Sequence, residues 1–189
     1  MQTRIFTVPN QLTLLRLGFL PLFLISVFYE HYRVGLAVLL IAAVTDALDG
    51  FMARRLNQRT ALGAYLDPIA DKLLLSSSFV VLALRGKIHW WLTIMVISRD
   101  VLMLTTAAVI ILVAGYRRFP PSIYGKLTTF FQIVLVFEAV TQAAFPHAHL
   151  QFVQAALRYT VAALTVISGV QYSFSVARRL HGGSAASAG

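Results

Sequence analysis

The sequence predicts an all-α integral membrane protein, built as a bundle of about six transmembrane helices. Hydrophobic residues make up 58% of the 189 positions, whereas charged residues make up only 12%. The apolar residues are concentrated in six runs, and several of these reach the roughly 20 residues that a helix needs to cross a bilayer. The alternation typical of strands is absent from these runs, so helices are the expected form of each span.

The six apolar runs are separated by short polar junctions. We expect the spans near residues 11–29, 34–54, 67–84, 90–114, 124–145 and 152–176. One membrane domain would cover residues 1–180, and the small and polar segment 181–189 would form a disordered tail. The chain contains no cysteine, which excludes disulfides and thiolate metal sites.

The positive charge of the chain is distributed according to membrane topology. The formal net charge is +9, but the basic residues lie between apolar runs, which favours lipid headgroups over nucleic acid as partners. Nine cations lie at the two ends and at the junctions after spans two and four, namely Arg4, Arg54, Arg55, Arg59, Arg117, Arg118, Lys126, Arg178 and Arg179. The opposite junctions carry three, namely Arg33, Arg85 and Lys87. We therefore expect a multi-pass protein of the bacterial inner (cytoplasmic) membrane, with both termini in the cytoplasm.

Four of the seven acidic residues lie in one short stretch, "DALDGFMARRLNQRTALGAYLDPIAD". Asp46 and Asp49 are three residues apart near the end of span two, and Asp67 and Asp71 are four apart at the start of span three. Each pair therefore shares one helical face. If a loop around residues 55–66 joins the helices as an antiparallel pair, the four carboxylates line one pocket at the cytoplasmic edge of the bundle.

Four carboxylates in one pocket would repel one another unless cations lie between them. Their hard oxygen donors suit Mg²⁺ or Mn²⁺, and such ions commonly bind together with substrate phosphates. Two ions could share the four side chains, as in other sites of phosphate displacement.

Small residues beside the aspartates indicate that a nucleotide approaches the helix backbone. Gly50 and Gly63 have no side chain to block a ligand, and Ala53 keeps the same face small. Arg54, one turn beyond Gly50, offers a fork of donors to a phosphate oxygen.

Each acidic residue, considered alone, could have a structural role instead of binding metal. An aspartate here could pair with Arg54 or Lys72, and Asp67 before Pro68 matches a helix start with an N-cap and a proline at the first position. Four acids together at a membrane junction favour function, since ionisable groups in membranes are costly to keep.

The stretch resembles the signature of the CDP-alcohol phosphotransferase family. Its eight fixed positions recur here at the family's spacing, namely Asp46, Asp49, Gly50, Ala53, Arg54, Gly63, Asp67 and Asp71. The opening "VPNQLTLLRLGFLPLF" is similar to the start of the family's glycerol-type phosphatidyltransferases. The six spans and the chain length also suit the family.

The resemblance implies a reaction and a role for each signature residue. An acceptor hydroxyl would attack the β-phosphoryl group of CDP-diacylglycerol and release CMP. Asp46, Asp49 and Asp67 would bind metal, and Asp71 would complete the metal site and act as the general base. The CDP moiety would contact Asp49 and the smaller or basic positions of the signature, namely Gly50, Ala53, Arg54 and Gly63. The resemblance also implies a homodimer.

The sequence leaves two acceptors possible: sn-glycerol 3-phosphate, which we favour, and phosphatidylglycerol. The segments "NQRTALGAYLDPIADK" and "VISRDVLML" resemble cardiolipin synthases, and "SRDVLMLTTAA" lacks a second arginine that phosphatidylglycerol phosphate synthases usually carry. An acceptor with its own phosphate needs further cations, which Arg99, Arg118 and Lys126 could supply. Arg99 and Asp100 could instead be a buried polar pair, and Arg118 could be a topology determinant.

Two other classes of membrane protein place aspartates on helices. Membrane prenyltransferases bind magnesium and a diphosphate in this way, but the spacing of Gly50, Ala53, Arg54 and Gly63 argues against them. A small cation transporter would place its carboxylates near the middle of the bilayer, on broken helices. The position of the aspartates at a junction argues against a transporter.

Overall fold

The protein is all-helical, as the sequence predicts. A computed structural model describes the backbone of residues 8–56, 61–114, 123–146 and 150–185, and the side chains within 18–45, 72–105, 123–146 and 153–172. The helices are α1 (Val8–Phe28), α2 (Tyr32–Leu56), α3 (Ala61–Leu84), α4 (Trp90–Ala114), α5 (Ile123–Ala144) and α6 (Leu150–Ala185). Each of the six predicted spans coincides with one of these helices.

Three helix boundaries in two regions differ from the expectation. The predicted loop around residues 55–66 is wrong, because α2 continues to Leu56 and α3 begins at Ala61. At the other end of the chain, α6 continues to Ala185 and so includes the first five residues of the segment assigned to the tail. Residues 186–189 lie outside the described residues, and their disorder stays a prediction.

The chain forms two compact units. The first contains Met1–His89 and Val136–Gln151, and the second contains Trp90–Leu135 and Phe152–Gly189. In the first unit, α1 packs against both α2 and α3. Its core includes Phe23, Val27, Phe79 and Leu82, each exposed by no more than 1%.

Among the described side chains, many large apolar groups are exposed, and several polar groups are buried beside the apolar core. Large apolar residues are exposed along the helices, for example Leu22, Ile41, Leu104 and Val166. Nine polar or charged residues are buried, namely Ser26, Ser78, Thr93, Arg99, Asp100, Thr128, Gln132, Thr165 and Ser168. This distribution is typical of helices packed in lipid, where the outer surface needs no polar groups and polar side chains bind one another between helices.

Two stretches of the described part are long and apolar enough to cross a bilayer, Ile123–Ala144 and Val153–Tyr172. Shorter apolar helical stretches lie at Gly18–Phe28, Tyr32–Thr45 and Lys72–Leu84. The helical state of all six predicted spans is confirmed. That each of them crosses the membrane stays a prediction.

The helices α1 and α3 end in the same way. Glu30 and Gly86 adopt φ angles of 64° and 66°, in the left-handed region. The amide of His31 donates to the Ser26 carbonyl at 2.8 Å, and the amide of Lys87 donates to the Leu82 carbonyl at 2.8 Å. Both ends are therefore Schellman motifs, which bind the last helical carbonyls and stop each helix sharply.

Candidate functional site

The helices α2 and α3 carry all eight signature residues. Asp46 and Asp49 lie in the second half of α2 and Asp67 and Asp71 in the first half of α3. Because α3 begins at Ala61, Asp67 lies a turn and a half inside the helix, and the alternative that it caps the helix start is wrong.

The helical register groups the signature into two stripes, one on each helix. On α2, the fourth and eighth residues after Asp46 are Gly50 and Arg54, and on α3 the fourth and eighth residues after Gly63 are Asp67 and Asp71. Residues spaced by four along an α-helix lie above one another on one face. The continuous helices thus support the one-face arrangement that the spacing predicts.

The side chains of the eight signature residues lie outside the described residues. Whether the four carboxylates converge on one pocket stays a prediction. Among the side chains that the structure describes, no group of three or more His, Asp or Glu residues is arranged to hold a metal. The four aspartates therefore remain the candidate donor set, and their hard oxygen atoms fit Mg²⁺ or Mn²⁺.

The three candidate acceptor-binding cations have different surroundings. Lys126 lies in the first turn of α5 and is exposed. Arg118 lies outside the described residues. Arg99 lies within α4 and is 6% exposed.

Arg99 is bound to two polar partners inside the second unit. Its Nη1 donates to Asp100 Oδ1 at 2.8 Å. On α6, Ser168 Oγ accepts from Nη2 at 2.7 Å and from Nε at 3.2 Å. The side chains of Arg99 and Asp100 are each only 4% exposed. The alternative that Arg99 and Asp100 form a buried polar pair is confirmed. The role of Arg99 in acceptor binding stays a prediction.

Further contacts to α6 surround this pair. A Cβ added at Gly169 would lie 3.9 Å from Arg99 Cγ, an ordinary van der Waals distance, so the arginine stem packs directly beside this position of α6. Tyr172 Oη donates to the Met103 carbonyl at 3.4 Å. Thr128 Oγ1 shares its hydrogen between the Tyr124 carbonyl at 2.7 Å and the Leu164 carbonyl on α6 at 3.1 Å. The second unit is therefore held together by polar contacts of α6 with α4 and α5.

Ser168 is a residue that the sequence did not single out. It lies in the apolar segment "VISGVQY", where serine is common and has no special meaning. The only available signal was its position beside Gly169, a pair of small residues that allows another helix to approach closely. Its partner Arg99 lies 69 residues away, so the contact depends on how α4 packs against α6.

Comparisons with known proteins agree with the signature. The family model described as CDP-alcohol phosphatidyltransferase matches residues 6–170. A Mycobacterium tuberculosis protein named probable phosphatidylglycerophosphate synthase is 37% identical over 188 residues, which cover 95% of this chain and 84% of that protein.

Two further relatives have different names. A Bacillus subtilis protein named CDP-diacylglycerol–glycerol-3-phosphate 3-phosphatidyltransferase is 32% identical over 88% of this chain and 93% of its own length. The human protein named cardiolipin synthase (CMP-forming) is 33% identical over 84% of this chain, but only 59% of that protein is covered.

Proposed function

The chain belongs to the CDP-alcohol phosphatidyltransferase family, and on that premise we propose that it transfers the phosphatidyl group of CDP-diacylglycerol to sn-glycerol 3-phosphate. The observation that carries the proposal is the complete signature on two consecutive helices, α2 and α3. The product would be phosphatidylglycerol phosphate, and CMP would leave.

The reaction breaks a phosphoanhydride bond and forms a phosphoester bond. The acceptor hydroxyl oxygen forms a bond to the β-phosphorus of CDP-diacylglycerol, and the bond from that phosphorus to the oxygen of CMP breaks. Asp71 takes the hydroxyl proton as general base. Because attack and departure occur on one phosphorus, holding the acceptor hydroxyl and the diphosphate in line supplies much of the rate.

The four aspartates Asp46, Asp49, Asp67 and Asp71 would hold one or two Mg²⁺ or Mn²⁺ ions. When bound, these ions neutralise negative charge on the diphosphate and on the departing CMP. Asp49 would also contact the CDP moiety, together with the small and basic signature positions Gly50, Ala53, Arg54 and Gly63. The two helical stripes support these roles, since on each helix a glycine and at least one aspartate of the signature share one face.

The choice of glycerol 3-phosphate rests on the relatives that cover similar lengths. The Mycobacterium tuberculosis and Bacillus subtilis proteins that carry glycerophosphate names are covered over 84% and 93% of their lengths. Arg99, Arg118 and Lys126 are the candidates to bind the acceptor phosphate, and an exposed lysine at the start of α5 suits that role.

Phosphatidylglycerol is the alternative acceptor, which would make the chain a cardiolipin synthase. The observation that favours it is the environment of Arg99, whose charge is already paired with Asp100 at 2.8 Å. An arginine that is already paired attracts the phosphate of glycerol 3-phosphate less strongly. Phosphatidylglycerol has no phosphate monoester, so it does not need that attraction.

We further propose that all six helices cross the bacterial inner membrane, with both termini and the active site in the cytoplasm, and that the protein is a homodimer. The family is membrane-bound. The nine basic residues on one side and three on the other support the orientation. Light scattering of the detergent-solubilised protein would measure the mass of the assembly.

One assay tests the function and the acceptor together. Purified protein is incubated with CDP-diacylglycerol, Mg²⁺ or Mn²⁺ and either acceptor, and release of CMP is measured. We expect CMP with glycerol 3-phosphate and none after chelation of the metal or in Asp49→Asn. CMP with phosphatidylglycerol alone would establish the alternative, and no CMP with either from folded, metal-loaded protein would overturn the proposal.

A further inference from the structure

A groove lies between the last turns of α1 and α3 in the first unit. Its volume is about 530 Å³, within the range of about 300–1,000 Å³ typical of ligand sites. The walls are almost entirely apolar and include Leu24, Ile25, Phe28, Val80, Val81 and Leu84. Such a groove fits a hydrocarbon chain.

The groove lies on the half of α3 away from the signature. Its wall on α3 runs from Ser77 to Leu84. These residues are six and 13 positions beyond Asp71, which corresponds to roughly 9 and 20 Å along the helix at 1.5 Å per residue. A headgroup at the Leu84 end would therefore lie well away from the candidate catalytic residues.

One arginine lies at the end of the groove and is incompletely paired. The guanidinium carbon of Arg85 is 4.7 Å from the centroid of the Phe28 ring, which forms part of the groove wall. Its Nη1 is 3.6 Å from Glu30 Oε1, too far for a hydrogen bond. Its Nε is buried and has no hydrogen-bond partner among the described residues. The Arg85 side chain is 27% exposed, so an anionic oxygen from outside can pair with the accessible part of its guanidinium group.

The charges around the groove end are mostly positive. The junctions 29–35 and 85–89 contain Arg33, Arg85 and Lys87 against one carboxylate, that of Glu30. Lys87 Nζ is 5.1 Å from the Tyr32 ring centroid, and the Arg33 guanidinium carbon is 5.3 Å from the Phe145 ring centroid. With three cations and one anion, this end of the first unit attracts an anionic headgroup.

We propose that the groove binds one anionic phospholipid, with an acyl chain between α1 and α3 and its phosphate on Arg85. The apolar walls account for the acyl chain, and the partly exposed guanidinium group of Arg85 accounts for the phosphate. The charge of the surrounding junctions selects an anionic over a zwitterionic headgroup. This site goes beyond the proposed transferase activity and does not depend on it.

The test measures lipid binding to the full chain in a neutral detergent, with a chelator present and CDP-diacylglycerol absent. Native mass spectrometry counts the lipids retained per chain, and titration gives the affinity for phosphatidylserine and phosphatidylcholine. Phosphatidylserine is anionic but is not a proposed acceptor. We expect one retained phosphatidylserine per chain, with an affinity about tenfold or more above that of phosphatidylcholine. Free glycerol phosphate should not compete, since it has no chain to fill the groove.

Three variants and one matched control distinguish the site from general lipid contact. Arg85→Gln should weaken phosphatidylserine binding about tenfold or more, and Ser77→Phe, which fills the groove, should abolish it. Glu30→Gln removes the competing carboxylate and should tighten binding, so the proposal stays testable if Arg85→Gln fails to fold. Arg33→Gln is the matched comparison and should have a clearly smaller effect, because Arg33 adds to the positive charge of this end but stacks on Phe145 outside the groove. Equal affinity for both lipids, or equal effects of Arg85→Gln and Arg33→Gln, would overturn the proposal.

Discussion

Replacing Asp100 by asparagine should destabilise the second unit strongly. The substitution keeps the size and shape of the side chain, so no cavity forms. It removes the negative charge 2.8 Å from Arg99 Nη1, in a pair whose side chains are each 4% exposed. Arg99 would then keep its charge in a buried position with only neutral partners.

The size of the effect follows from the burial of the pair. Breaking a buried ion pair by removing one partner costs about 3–5 kcal/mol. The asparagine oxygen still accepts a hydrogen bond, which returns about 1 kcal/mol. The net loss is about 2–4 kcal/mol, or roughly 4–16 °C in the unfolding midpoint for a chain of this length.

The measurement is thermal unfolding in detergent, followed by tryptophan fluorescence. Both tryptophans, Trp90 and Trp91, lie in the first turn of α4, the helix that carries the pair. Glu30→Gln is the matched control, since Glu30 is 63% exposed and 3.6 Å from Arg85. An exposed pair contributes at most about 1 kcal/mol.

A double substitution tests the same pair in a second way. Replacing both members by apolar residues, Arg99→Met with Asp100→Leu, should recover much of the stability, because no unpaired charge is left. If Asp100→Asn unfolds at the wild-type temperature, or shifts the midpoint no more than Glu30→Gln, the buried pair does not stabilise the second unit.

Three further predictions concern glycines and the proposed base. Gly86→Ala should lower stability by about 1–2 kcal/mol because Gly86 has a φ of 66°. Gly18→Ala, in open space within α1, should raise stability by about 0.5–1 kcal/mol, and thermal unfolding shifts of the same sign for the two variants would contradict this contrast. Gly35→Val should destabilise by about 1–3 kcal/mol, because even a Cβ there would lie 3.2 Å from Val27 Cγ2, and chemical denaturation against Gly18→Val would detect it. Asp71→Asn should slow CMP release by about 10²–10⁴-fold with unchanged unfolding temperature, and near-normal turnover would exclude Asp71 as the base.

The helices could be predicted from the sequence because long apolar runs leave the backbone no other form in lipid. The start of α3 could not be predicted in this way. The pair Asp67–Pro68 matches the chemistry of a helix start, yet the preceding residues from Ala61 onward are mostly good helix formers and extend the helix upstream. The end of α6 was placed too early for a related reason, since Arg178 and Arg179 end the apolar run without ending the helix.

The candidate site, too, could be predicted from the sequence only in part. The stripes on α2 and α3 follow from local spacing, which continuous helices preserve. The bonds from Arg99 to Ser168 depend on how two distant helices pack, and no local pattern encodes that contact. Sequence reasoning could name Arg99 and Asp100 as an unusual pair in an apolar run, but the third partner required the structure.

Because α2 is continuous through the signature, the site should tolerate substitutions between the fixed positions but not insertions. Each residue added to an α-helix turns everything beyond it by about 100°. One residue inserted between Asp49 and Ala53 would therefore carry Ala53 and Arg54 away from the face that holds Asp46. Substitutions at Phe51 or Met52 leave that alignment intact. The length of this segment, more than the identity of the residues between the fixed positions, is what the chemistry depends on.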